Sequence, residues 1–216
     1  MPRVSRERAA QTRRDVVAAA SRLFRQRGTG VSLSEVTAEV GLTNGGFYKH
    51  FPSKEALISE ATDQAFEDLR RRLDDFMVAN NGDHEAARAA LIDYYLSPAH
   101  RDDLAAGCPA SGFAADVVRG QLGEDTKDHY VRGVRELTAW IGGAATDPTP
   151  ETDSEARSRS GDLSDEAVAT LCTMVGGLML SRATVGSPLS ERFLSQARQA
   201  LLDTKPPKAQ GPAQGE

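Results

Sequence analysis

Apolar residues recur at three- and four-residue spacing along most of the chain, the period of a helix with one buried face. Val16, Val17, Ala20, Leu23 and Phe24 form such a stripe over about 7–27, and Gly28 and Gly30 end it. Ser32-Leu33-Ser34-Glu35 has the form of a capping box, with Glu35 reaching back to the Ser32 amide. A short helix follows with Leu33, Val36 and Val40 on one face, stopped by Gly41, and a second short segment covers 44–51. Pro52-Ser53 opens a longer helix whose apolar positions are Leu57, Ala61, Ala65, Phe66, Leu69, Leu73 and Phe76; Asn80-Asn81-Gly82-Asp83 breaks it. Further helices are predicted over 85–96, ending before Pro98, and over 111–119, with Pro109 at the first helical position. Others are predicted over 125–144, 165–184 and 188–202. No strand pattern and no repeat appears, so the predicted fold class is all-α.

With 39% hydrophobic residues and 19 Gly in 216 residues the chain can bury a core, and its apolar content leans on Ala and Leu, which favours helix. The net charge of −5 is uneven. Residues 1–60 carry a net +4 and residues 61–216 a net −9, which places any polyanion partner at one end. Two Cys make no disulfide framework, and the first residues lack the apolar core of a signal peptide. The longest charge-free apolar stretch, 167–181, is shorter than the roughly 20 residues that span a bilayer. These features predict a cytoplasmic protein with no membrane partner. His50, His84, His100 and His129 have no ligand spacing, Asp74-Asp75 and Asp102-Asp103 read as solvated charges, and no phosphate-binding Gly loop or Ser-centred elbow appears. The expectation is therefore no enzyme, no catalytic residue, no metal and no cofactor.

Two short helices joined by a Gly-containing turn, inside the basic 60 residues, describe a helix-turn-helix whose second helix would enter the DNA major groove. Asn44-Gly45-Gly46 puts small residues where backbone must approach DNA. Tyr48, Lys49 and His50 supply phosphate donors, Phe47 and Phe51 would face inward, and Lys54 lies in a helix first turn, where free amides favour phosphate. Spacing alone equally suits a helical hairpin with a solvated basic face.

The run from Leu33 to Leu57, and above all Gly45-Gly46-Phe47-Tyr48-Lys49-His50-Phe51-Pro52-Ser53-Lys54-Glu55, resembles the DNA-binding signature of the TetR family of transcriptional regulators. The resemblance covers about residues 12–60. It implies an all-helical fold of about nine helices, an N-terminal three-helix helix-turn-helix domain joined to a larger helical ligand-binding and dimerisation domain, and a homodimer. The expected organisation is a DNA-binding domain at 1–52 with a disordered basic arm at about 1–6, an effector-binding and dimerisation domain at 53–203 with a flexible loop at about 146–162, and a disordered tail at 204–216. The resemblance further implies that Ser32 touches a phosphate, that Thr43, Asn44, Gly45 and Gly46 meet the groove, that Tyr48 and His50 grip the backbone, and that Lys54 binds a phosphate. Lys49 departs from a frequent aromatic and has both phosphate and guanine within its repertoire. Arg3, Arg6, Arg8, Arg13 and Arg14 read either as a minor-groove arm or as a cationic tail.

In the family the second half holds an effector pocket and a dimer interface. Pocket candidates are Phe66, Tyr94, Tyr95, Cys108, Phe113, Val117, Tyr130, Val134 and Trp140, which together predict a mostly apolar cavity with a few phenol hydroxyls. Leu171, Met174, Val175, Leu178 and Met179 form a wide apolar face beside Gly176-Gly177, and Leu189, Phe193, Ala197 and Leu201 a second stripe; the interface is expected on these two helices. Cys108 stands at a helix start, where amides favour thiolate, and its segment resembles a Gly-Cys stretch through which a few family members sense electrophiles. Asp102 and Asp103 oppose that, so a reactive thiol and a structural cysteine at the pocket's rim both stand. The functional expectation is a dimeric regulator, a repressor released from a palindromic operator by a small-molecule effector. The alternative is a helical hydrophobic-ligand-binding module without specific operator recognition.

Overall fold

A computed structural model of the chain describes residues 2–143 and 163–203, with side chains from residue 6 onward. The predicted loop at 146–162 and tail at 204–216 lie outside the described residues. The described residues form eleven helices and no strand, the predicted all-α class: α1 (Pro2–Arg27), α2 (Leu33–Glu39), α3 (Asn44–Phe47), α4 (Lys54–Ala79), α5 (His84–Tyr95), α6 (Pro98–Asp102), α7 (Pro109–Gly112), α8 (Ala114–Val118), α9 (Glu124–Ile141), α10 (Asp165–Ala183) and α11 (Pro188–Leu202).

Three boundaries differ from the expectation, and one helix is additional. α1 starts at Pro2, so the residues assigned to an arm are helical. α3 stops at Phe47, and two Gly in its four residues leave it little helical propensity to continue. The helix expected over 111–119 is broken at Phe113 into α7 and α8. α6 is additional: Ser97 caps it by accepting the His100 N–H at 3.2 Å, with Pro98 at its first position.

Two apolar clusters organise the molecule. The head cluster joins Val16, Ala20 and Phe24 of α1 to Val36, Phe47 and Phe51, and continues through Leu57, Ile58, Ala61 and Ala65 of α4 to Phe113. The head's core therefore does not stop at residue 52. The body cluster joins Leu73 of α4 to Leu91, Ile92 and Tyr95 of α5, Leu137, Trp140 and Ile141 of α9, Leu171, Met174 and Leu178 of α10, and Leu194 of α11. α4 thus serves both clusters and is the rigid element between them. Where α9 crosses α4, a Cβ on Gly133 would stand 2.3 Å from the Phe66 ring, so only glycine lets the helices approach this closely. A second tie joins head and body: the buried Asp116 carboxylate of α8 accepts the Thr29 N–H at 3.1 Å in the turn after α1.

Candidate nucleic-acid interface

The helix-turn-helix is assembled by local chemistry. At the start of α2 the Ser32 Oγ accepts the Glu35 N–H at 3.2 Å, and the Glu35 carboxylate accepts the Ser32 N–H at 2.9 Å and the Ser32 hydroxyl at 2.8 Å. This is the predicted capping box; its hydrogen bonds hold the Glu35 carboxyl below the usual range. The Ser32 hydroxyl is thereby committed to Glu35, and Arg27 pairs with the same carboxylate at 2.9 Å. At α3, Thr43 accepts the Gly46 N–H at 3.2 Å as N-cap. The Asn44 amide is also occupied: its Nδ2 donates to Ser34 at 3.0 Å and its Oδ1 accepts from Thr37 at 3.3 Å, pinning α3 to α2.

Phe47 and Phe51 face inward as predicted, 0% and 1% exposed, with stacked rings 5.1 Å apart. That anchoring turns Thr43, Asn44, Gly45, Tyr48 and Lys49 outward, while Gly46 and His50 are half-buried. Tyr48 is 61% exposed despite its aromatic ring, which suits a side chain that meets a partner. Lys54 follows the Ser53 cap of α4, where Ser53 accepts the Ala56 N–H at 3.2 Å. The nine residues named from the sequence therefore fall on one stretch from the start of α2 to the start of α4.

Of the arm arginines, Arg6, Arg8 and Arg14 are exposed on α1. Arg13 is not an arm residue. It forms a forked pair with Glu60 of α4, lies 4.7 Å over the Phe51 ring and donates to the His50 carbonyl at 3.4 Å. It fixes the end of the helix-turn-helix against α4, a role carried by no local sequence signal.

The pocket candidates are not brought into one apolar cavity. Phe113 lies in the head cluster, Trp140 in the body cluster with Val134 packed against it, and Val117 is half-buried on α8. Phe66 forms part of the floor of a cleft of about 650 Å³ between α1, α4 and α9. Its walls are charged and paired rather than apolar: Arg13 with Glu60, Arg70 with Glu67 and with Glu136 at 2.8 Å, and Asp63 with His129 at 2.8 Å and Arg132 at 3.4 Å. Tyr130 meets Phe66 edge-on and donates its hydroxyl to the Ala110 carbonyl at 2.7 Å. Tyr94, Tyr95 and Cys108 line a second, much smaller cavity of about 20 Å³ beside Arg25, Arg72 and His100. No local sequence signal turns Arg25 and Arg72 inward.

Cys108 is the N-cap of α7 without a side-chain capping bond, and it is buried. Burial pushes its thiol up, outweighing the hydrogen bonds that favour thiolate. In a Cys172→Ser background, native protein is expected to alkylate at Cys108 far more slowly than protein in urea. Equal rates in a maleimide time course would show an accessible, reactive thiol instead.

The interface candidates divide between two faces. Leu171 and Leu178 of α10 are buried in the chain's own core, and Val175, Phe193, Ala197 and Leu201 are partly covered. Met179 is 42% exposed, and it shares the outer face of α10 with Val168, Cys172 and Leu180. The inner face is closed by α11, where a Cβ on Gly177 would stand 2.7 Å from that of Ala197.

Among the described residues no helix is long and apolar enough to cross a membrane. Residues 16–61 match the family model described as bacterial regulatory proteins, tetR family. The HTH-type transcriptional repressor NemR of Escherichia coli (strain K12) is 27% identical over 131 residues, 60% of this chain; the match spans 65% of that relative's length. The HTH-type transcriptional regulator AcrR of Shigella flexneri is 39% identical over 61 residues, 28% of each chain. A crystal structure of reduced E. coli NemR superposes with a TM-score of 0.70 at 22% identity, covering 89% of this chain and 96% of that one. A TetR transcriptional regulator from Chloroflexus aurantiacus superposes with a TM-score of 0.64 at 27% identity, covering 90% and 94%. The matched head at residues 16–61, the shared fold and the signature from Gly45 to Glu55 agree in supporting a TetR-family regulator.

Proposed function

We propose that the chain is a homodimeric DNA-binding regulator, a repressor that holds a palindromic operator and leaves it when a small-molecule effector binds. The observation that carries this is the anchored α3, whose buried Phe47 and Phe51 present Thr43, Asn44, Gly45, Tyr48 and Lys49 to solvent. Two such surfaces in a dimer read half-sites about 34–36 Å apart, one DNA turn. In this reading residues 1–52 supply the DNA-binding unit and 53–203 the effector and dimerisation unit, with α4 common to both cores. Tyr48, His50 and Lys54 hold phosphates, and Lys49 with the open backbone at Gly45 meets base edges. Ser32 and Asn44, whose polar groups are spent within the hairpin, serve mainly to hold it.

A titration of operator and random duplexes across salt concentrations tests the proposal. Tyr48→Phe and Lys54→Ala are expected to weaken both duplexes by similar factors, and Lys54→Ala to reduce the salt slope by about one. Equal affinity of wild type for operator and random DNA at every salt concentration would overturn it. The alternative module for hydrophobic ligands finds less support, because the large cleft carries paired charges on its walls beside Ala10, Val17 and Phe66.

A further inference from the structure

We propose that Asp116 is a positioning residue for DNA binding: from the body it holds the turn between α1 and α2, and so sets the tilt of the head and, in a dimer, the separation of the two recognition surfaces. This rests on the regulator reading above and names the residue that fixes the geometry which that reading requires.

α4, common to both cores, carries the head, but one connecting helix leaves rotation about its own axis to other contacts. On one side α1 has little to lean on: Ala10, Arg14 and Val17 face Arg132 and Glu136 of α9 across the cleft of about 650 Å³. The last turn of α1 is instead gripped by the segment 107–116. The buried Arg25 donates to the Gly107 carbonyl at 3.1 Å. Gly112 packs on the same residue so closely that a Cβ there would stand 3.3 Å from the Arg25 Cα. Phe113 is fully buried in the head's own cluster. Asp116 closes the grip beyond the helix end, where its carboxylate accepts the Thr29 N–H at 3.1 Å.

Its chemistry sets Asp116 apart from the rest of that grip. The residue is buried, and among the described residues it pairs with no cation. Burying a carboxylate against one neutral N–H is costly, so such a residue contributes position rather than stability. Its target is equally specific. Gly28 takes φ +80°, a left-handed turn out of α1 that aims the N–H of the buried Thr29 at α8. A Cβ on Gly28 would stand 3.5 Å from the Asp116 carboxylate, so the carboxylate packs on the turn as well as bonding to it. Thr29 lies just before the Ser32 cap of α2, and Asn44 pins α3 to α2. A displacement of this turn therefore moves the recognition surface with it. In a dimer that must match half-sites one DNA turn apart, the tilt of each head decides which spacing is bound.

The first arm of the test needs no DNA. In a Cys172→Ser background, nitroxides are attached at Arg8→Cys and Lys127→Cys, exposed positions on α1 and α9. Their distance distribution is measured by double electron–electron resonance in protein diluted with unlabelled chain. Asp116→Ala is expected to broaden the distribution about twofold, through loss of a charge-assisted hydrogen bond. Asp116→Asn keeps an oxygen for the Thr29 N–H and is expected to match the wild type. The second arm uses the duplex that wild type selects from a random pool, the same duplex with one base pair inserted at or removed from its centre, and a single half-site. Wild type is expected to favour the selected spacing by about tenfold or more, and Asp116→Ala by no more than about threefold, with half-site affinity within about twofold of wild type. A merely structural role would weaken every duplex together and leave the ratio alone. Asp116→Asn is expected to keep the wild-type ratio. Should Asp116→Ala fail to fold, Asp116→Ser, whose hydroxyl stops short of the Thr29 N–H, replaces it with the same expectations. An unchanged distance distribution, or an unchanged spacing ratio beside a broadened distribution, overturns the proposal. Equal losses in Asp116→Asn overturn the hydrogen bond as their cause. A distribution that broadens as expected in a protein that selects no duplex overturns the regulator reading alone.

Discussion

Phe47→Ala is expected to cost the head about 3–5 kcal/mol, the range for emptying a buried aromatic site, and to abolish operator binding at any salt concentration. The expectation comes from how little else holds α3. Four residues, two of them glycine, cannot sustain a helix on propensity alone. The segment is fixed by the Thr43 cap, by the Asn44 bonds to Ser34 and Thr37, and by Phe47, which is 0% exposed and stacked on Phe51. Phe51 in turn lies under the Arg13 guanidinium, which is pinned by Glu60 of α4. Removing the Phe47 ring leaves a void at the centre of this chain of contacts. The body should survive, because its core shares no residue with the head's. Urea unfolding followed by near-ultraviolet absorbance of the single Trp140, in the body, and by far-ultraviolet circular dichroism should therefore separate into two transitions. Phe47→Leu should recover most of the stability. Operator affinity unchanged in Phe47→Ala would mean that α3 owes its orientation to something other than this anchor.

The head was legible in the sequence because each of its devices is local. The capping box joins Ser32 and Glu35, three positions apart, the inward pair Phe47 and Phe51 is four positions apart, and both are found in the structure. What escaped is what depends on distant residues. Arg25, Arg72 and Arg182 turn inward onto carbonyls of Gly107, Ala106 and His100, which no periodicity places beside them. Arg13 reads as part of an arm but meets Glu60, 47 positions away. The additional helix α6 had a readable sign: Ser97-Pro98 repeats the cap-then-proline pattern of Ser187-Pro188, which marks the start of α11. Large apolar side chains look alike in sequence, so the pocket candidates form one group there; the fold assigns them to two cores and two cavities. The same ambiguity affects α10. Its run from Ala167 to Leu180 is apolar on nearly every side, so spacing cannot tell which face turns to the chain's own core.

That distinction decides where a dimer-breaking charge belongs. Met179→Glu is expected to yield a folded monomer, whereas Leu178→Glu, one residue away, is expected to fail to fold. Leu178 is 0% exposed among Met174, Leu171 and Leu194, and a carboxylate there has no partner and no water. Met179 is 42% exposed and lies about 100° further round the helix, among the exposed Val168 at 43%, Cys172 and Leu180 at 50%. Above Gly176 a Cβ would meet nothing within 4 Å, which leaves room for a second helix to approach. Leu189 of α11 is 47% exposed as well. Exposed apolar side chains gathered on one face of α10 are what a second copy would cover. A glutamate at the centre of that face places two like charges close together across a twofold axis, where each would lose water without gaining a partner. The monomer should retain the wild-type helix content and titrate single half-sites. It should lose roughly a hundredfold or more in affinity for the intact palindrome, because the second half-site no longer binds within the same molecule. Sedimentation velocity at micromolar concentration checks the assembly and an operator titration the consequence. A Met179→Glu protein that remains dimeric would move the interface off this face, and a monomer that holds the palindrome at full affinity would remove the dimer from the mechanism.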